Sequence, residues 1–256
     1  MDKISELLNS VYTWFCSTDL AKQFSLNFIK DNRYLYITKG LGITLTITLF
    51  SALLGLLLGI VAASVRSTYD LNKDMMSRKK NIGYYVFSAA NQICKLYITI
   101  IRGTPMVVQL MIMYYVIFAS STDSTRIAII AFGINSGAYV AEIIRAGIMS
   151  IDRGQFEAGR SLGLNYIQTM LYIIMPQVIK SVLPSLLNEI IALLKETSVA
   201  GYVGIKDLTK GAEIIKGVTY SAFMPLLMVA FIYLVIVIIL TKIVSRIERR
   251  LRRNER

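Results

Sequence analysis

Three stretches of this chain run for 20 residues or more without a charged side chain: Gly40 to Val65, Gly103 to Thr122 and Gly217 to Thr241. A bilayer core holds no water to hydrogen-bond a peptide group, so a segment that crosses it must satisfy its own backbone, as a helix does. The first run would make a helix of about 39 Å at about 1.5 Å per residue, longer than a hydrocarbon core of about 30 Å. The sequence therefore predicts an all-α, polytopic membrane helical bundle. Composition agrees, because 55% hydrophobic and 17% charged residues are too apolar a mixture for an ordinary soluble domain of this size. It also removes several chemistries. With no histidine and two isolated cysteines, Cys16 and Cys94, there is no imidazole base and no Cys/His metal site. The cysteines are expected as small apolar residues in a helix or an interface.

Two further spans complete a set of five. One begins over Ile127 to Ala141 and absorbs Glu142 and Arg145, which stand three apart and are expected to pair. The other runs from Gln177 to Leu194. Between the spans, Arg66 to Lys80 reads as a polar, basic loop. Asn81 to Cys94 is uncharged but too short to cross, and is expected along the interface or at a slant. Gly55 and Gly59 form a small-xxx-small pattern, expected to pack within the chain. A polar stretch from Lys195 to Gly217 precedes the last span.

A net charge of +12 would point to nucleic acid in a soluble protein. Its placement argues for a membrane instead, because seven basic residues (Lys242, Arg246, Arg249, Arg250, Arg252, Arg253 and Arg256) follow the last apolar run. Assigning sides by the positive-inside rule puts fifteen basic residues in cytoplasmic segments and ten outside, with the N-terminus outside and the C-terminus in the cytoplasm. Met1-Asp2-Lys3 does not open a leader pattern, so no cleaved signal is expected. The expected organisation is an outer segment over 1–39, one membrane domain over 40–245 carrying a cytoplasmic loop at 150–176, and a basic cytoplasmic tail over 246–256.

That loop carries the functional argument. Asp152 to Gly163 reads as one short helix: Asp152 is a good N-cap, Gln155 stands at capping-box spacing, and Gly163 suits a left-handed stop. Asn165 and Gln168 repeat the cap spacing for a second helix, which Pro176 is expected to interrupt. The product is a helix-turn-helix presenting Phe156 and Glu157 outward, shaped to be held by another protein.

The residues also carry a resemblance. Glu157-Ala158-Gly159, then Gly163, Ile173 and Met175-Pro176, resembles the EAA loop of permease subunits of bacterial ATP-binding-cassette importers. Gly159 replaces the usual alanine and Met175 the usual leucine. Arg102-Gly103-Thr104-Pro105 with Val108-Gln109, Tyr139 to Arg145, Gly154 to Ala158, Asn188-Glu189 and Leu194 to Ser198 look like the polar amino acid branch of that family. The resemblance implies a type I importer fold and a multi-pass subunit of the bacterial cytoplasmic membrane. It also implies a second permease subunit, a cytoplasmic ABC ATPase dimer and an external substrate-binding protein. Gln155, Phe156, Glu157, Ala158 and Gly163 would then couple to the ATPase. The chain has no Gly-x4-Gly-Lys-Ser/Thr phosphate loop, so it is not expected to be an enzyme or to hold a cofactor; ATP and magnesium belong on the partner.

Intramembrane charges mark the expected substrate site. Glu189 and Glu196 lie seven residues apart, two turns on one helix face, and could flank a cationic group; Thr197 and Ser198 offer hydroxyls. Thr104 and Gln109 join them as candidates, although Gln109 can equally bridge helices. An acidic pair favours arginine, lysine or histidine over glutamate. The equally weighted bland reading pairs Glu189 with a basic residue of the bundle and leaves Lys195 and Glu196 solvated. Two rival functions remain open: an ion-coupled secondary transporter using Glu142 and Glu189, and a non-transporting membrane scaffold.

Overall fold

The computed structural model describes residues 19–78 and 82–253, so Cys16 and the ends of the chain lie outside the described residues. Among the described residues all regular structure is helical. The principal helices are α1 (Asp19–Phe24), α2 (Tyr34–Arg78), α3 (Ile82–Gly103), α4 (Met106–Ile112), α5 (Ser124–Met149), α6 (Arg153–Ser161), α7 (Tyr166–Thr169), α8 (Met175–Glu196), α9 (Leu208–Thr219) and α10 (Phe223–Arg253). Four helical stretches are long and apolar enough to cross a bilayer: Tyr34–Lys73, Ser124–Met149, Tyr166–Val203 and Phe223–Leu251. The bent pair Ile82–Gly103 and Met106–Ile117 makes a fifth.

α5 is the hub because its sequence is small where neighbours approach. Ala128, Ala131, Gly133, Ser136, Gly137, Ala138 and Ala141 are all buried. Gly55 of α2 rests against Ser136 and Gly137, and Gly59 against Val140, so the small-xxx-small pattern packs within the chain as expected. Ser51 Oγ donates to the Ile129 carbonyl at 3.1 Å, and Arg145 reaches Asp70. Higher numbers on α2 therefore meet higher numbers on α5, and the two helices run parallel. α10 lies at the other extreme. Few of its residues are fully buried in the bundle, as a lipid-facing helix requires.

Four expectations change. Arg66 to Lys80 is not a loop as far as it is described: α2 continues as helix to Arg78, 45 residues in all, because no Gly or Pro stops it. Leaving lipid is a change of solvent and does not by itself end a helix. Gly103 to Thr122 is not a straight span, since the chain bends by 110° between α3 and Met106–Ile117. Pro105 supplies no N–H and restricts Thr104 before it. The helix expected to fall short at Cys94 instead continues to Gly103. Pro176 does not interrupt its helix either. A π-helical turn over Met170–Ile174 precedes α8, and Pro176 sits in its first turn, where a missing donor costs little. The polar Lys195 to Gly217 stretch is mostly helical, with a 3₁₀ turn over Thr197–Val203 followed by α9.

Cys94 is half-buried beside Ala62, Ala138 and Ala141, the small apolar role expected of it. At the end of the bundle away from α6, α9 lies tight against the start of α2. A side chain on Gly40 would collide with the Asp207 carbonyl, and one on Gly211 with that of Tyr36. Thr44 Oγ1 accepts the Leu208 N–H at 3.1 Å, and Thr219 Oγ1 donates to Asn27 Oδ1 at 2.8 Å, tying the first described segment to α9.

Candidate functional site

The α6–α7 hairpin forms from its caps inward. Asp152 Oδ1 accepts the Gly154 N–H, but Gln155 returns no bond to Asp152, so the expected box is half-made. Asn165 and Gln168 make the complete box, each side chain bonding the other's backbone N–H at 2.9 Å. Gly163 adopts φ +78°, the left-handed stop expected of it and a conformation that disfavours any Cβ. Gln155, Glu157 and Ala158 are exposed. Phe156 is not presented outward. It is 8% exposed and packs among Ile148, Ile174, Val178 and Val182, because a short polar helix needs one apolar anchor to hold its angle. That burial contributes roughly 1.5–3 kcal/mol. The departure at Gly159 also has a cause: a Cβ there would lie 2.6 Å from the Thr169 methyl.

Behind the hairpin, Arg145 ties α5 to α2. Its guanidinium bonds Glu142 at 2.7 Å and Asp70 at 3.0 Å. The Glu142–Arg145 pair was legible from spacing. Asp70 was not, because it was read as part of a loop.

The polar candidates divide. Gln109 Nε2 donates to the Ile101 carbonyl at 2.7 Å, the Thr104 carbonyl at 3.0 Å and Thr104 Oγ1 at 2.7 Å. Its Oε1 accepts from Asn135 at 3.0 Å. It thus satisfies carbonyls freed at the α3–α4 break and holds the break to α5, which is the bridging role. Thr104 is exposed, with its hydroxyl donating to the Ile100 carbonyl. Glu189 is half-buried and makes no ion pair among the described residues; it accepts from Ser136 Oγ at 3.0 Å, a partner on α5 with no sequence signal. Glu196, half-buried, ends α8 two turns on. Thr197 cannot offer its hydroxyl to a ligand. It is fully buried and donates to the Leu194 carbonyl at 2.7 Å, because the 3₁₀ turn that begins there points it into the core. Ser198 is half-buried and lines a separate cavity with Tyr202 and Lys210.

Residues 82–253 match the family described as binding-protein-dependent transport system inner membrane component, and the chain belongs to that family. It is 37% identical over 223 residues to an arginine transport system permease protein of Bacillus subtilis (strain 168), covering 86% of this chain and 94% of that protein. Similarity extends to the glutamine transport system permease protein of Escherichia coli (strain K12), 35% identical, covering 84% and 93%. The L-cystine transport system permease protein of B. subtilis is 33% identical, covering 89% and 91%. A crystal structure of an amino acid ABC transporter with histidines superposes with TM-score 0.73 at 38% identity, over 84% of this chain and 94% of that one. The chain is therefore an amino acid ABC transporter permease of the type I importer fold. It is a transport subunit and not an enzyme, with the ATPase on a separate subunit.

Proposed function

We propose that this chain imports a polar amino acid across a bacterial cytoplasmic membrane, driven by ATP and magnesium on a partner ATPase dimer. An external binding protein delivers the substrate and a second permease subunit completes the pathway. The observation that carries this is the hairpin: α6 is short, capped and exposed on one face, yet pinned by Phe156 to helices that line the bundle. A force applied to Gln155, Glu157 and Ala158 therefore reaches α5 and α8 as rigid-body motion. The basic residues flanking the spans support a cytoplasmic hairpin and an outer N-terminal segment. On this orientation the domain limits are those read from the sequence, with coupling over 150–176, and no nucleic acid is involved.

Glu189 is the residue placed best to meet substrate, since an unpaired carboxylate within a span is costly unless used. The preference for a basic cargo read from the acidic pair has no support from the comparisons. Relatives named for arginine, glutamine and cystine share the scaffold, so the substrate class is the polar amino acids as a whole. The family match supports the ATP-driven reading over the ion-coupled and scaffold ones.

The test is uptake into proteoliposomes holding this chain with its ATPase and binding protein. Labelled arginine, glutamine and cystine are each offered with and without ATP. Accumulation that depends on ATP is expected for at least one; accumulation driven by an ion gradient alone overturns the reading. Glu189→Gln is expected to lower uptake on the order of tenfold, about 1.4 kcal/mol in the transport barrier, with assembly intact on gel filtration.

A further inference from the structure

α10 carries one continuous outer stripe whose chemistry changes part-way along. Leu227, Phe231, Leu234 and Ile238 are exposed and apolar, and Lys242, Arg246 and Arg249, exposed and basic, continue the row at steps of three or four residues. That spacing keeps them on one helix face, and the exposed Arg250 lies beside them. The opposite face is turned to the bundle, with Val244 buried and Ile247 and Leu251 half-buried.

Helix length fixes where the change falls. A hydrocarbon core of about 30 Å takes about 20 residues at about 1.5 Å each. Counted from Phe223, where α10 begins, the core ends close to Lys242. Arg246, Arg249 and Arg250 follow about 6–12 Å beyond, where long side chains reach back into the headgroup layer. The basic stripe is also uncompensated. Among the described residues, Lys242, Arg246, Arg249 and Arg250 form no ion pair, and Glu248 stands about 100° or more round the helix from each. Lys242 with Arg246, and Arg246 with Arg250, are like charges four apart, an arrangement that destabilises a helix with no anion beside it.

We propose that this stripe binds an anionic phospholipid, its acyl chains against Leu234 and Ile238 and its phosphate among Lys242, Arg246 and Arg250. Guanidinium forks match phosphate geometry. The apolar half of the stripe decides against a soluble anion or an acidic protein, because only an amphiphile meets both halves at once. A zwitterionic headgroup carries its own cation next to the phosphate and gains less from the stripe. Binding requires only that α10 cross a bilayer, so it does not rest on the import reading; the orientation proposed above assigns the lipid to the cytoplasmic leaflet.

The test uses the purified full chain in detergent, where its orientation in a membrane plays no part. Native mass spectrometry follows the first lipid bound from phosphatidylglycerol or phosphatidylcholine. Phosphatidylglycerol is expected to bind about tenfold more tightly, and Lys242→Gln, Arg246→Gln and Arg250→Gln together to bring the two lipids within about twofold. Equal affinity in the parent, or a preference that survives the three substitutions, overturns the proposal. A photoactivatable phosphatidylglycerol decides on the unaltered chain should the variant fail to fold. Crosslinks within 234–250 that unlabelled phosphatidylglycerol removes support the site. Crosslinks confined to other helices, or displacement by inorganic phosphate at matched ionic strength, overturn it. Crosslinking that persists in a chain without ATP-driven uptake upholds the site and removes the transport reading instead.

Discussion

Gly159 and Thr169 divide one volume between them. The helix pays about 1 kcal/mol in propensity for glycine over alanine, while a Cβ forced against the Thr169 side chain costs roughly 1–3 kcal/mol of overpacking. Gly159→Ala alone is therefore expected to lower the thermal unfolding midpoint. Combined with Thr169→Ala it should recover most of the loss, a coupling that a double-mutant cycle measures directly. Asp207 makes a second prediction at this scale. Fully buried, it caps α9 by accepting from Thr209 at 3.1 Å and Lys210 at 2.9 Å. Burial pushes its carboxyl up, outweighing the hydrogen bonds, chiefly from the Lys210 and Thr209 backbone, that pull it down. A carboxyl with a higher native than unfolded value holds its proton more tightly when folded, so its effect on stability is most favourable at low pH and worsens as pH rises through the native value. Asp207→Asn keeps one of the two cap bonds and removes that titration, so its melting temperature should vary less with pH from the ordinary carboxylate range upward. Asp207→Ala should lose about 1 kcal/mol of cap energy throughout.

Among elements, the break between α3 and α4 depends on one side chain. Gln109→Leu would leave the Ile101 carbonyl, which Pro105 cannot serve, without the part-buried bond it now receives, at about 1–3 kcal/mol for an orphaned group. The expected outcome is a lower melting temperature and a broader distance distribution between spin labels placed on the two helices. This element also shows what the sequence could and could not convey. The uncharged runs and the caps at Asp152, Asn165 and Gly163 were legible because their signals are local. The bend at Pro105 was missed because a charge-free run was equated with a straight crossing, and the length of α2 because polarity was equated with a loop. Ser136 beside Glu189 and Asp70 beside Arg145 lie 53 and 75 residues from their partners, a separation no spacing rule reaches. Phe156 was misread because polar neighbours in sequence hid an apolar face in space.

For the whole molecule, coupling is the property to measure. Glu157→Lys reverses the charge on the exposed face of α6, and Gly163→Asp forces a side chain into the left-handed turn that ends it. Either change is expected to reduce uptake on the order of tenfold, a coupling loss within the 1–3 kcal/mol typical of linked sites, while basal ATP hydrolysis continues. Uptake and hydrolysis measured side by side at equal membrane levels check this; matched rates for parent and variants would remove the hairpin from the drive train.

α2 is one unbroken rod of 45 residues, about 67 Å at about 1.5 Å per residue. Its far end is wedged at Gly40 against α9 and its near end is pinned through Asp70 to Arg145. Having no joint along its length, it behaves as a see-saw: a tilt of about 10° about its middle displaces the two tips by roughly 6 Å each, in opposite directions. Opening at one face of the membrane and closing at the other are then a single mechanical event, without a relay of separate signals.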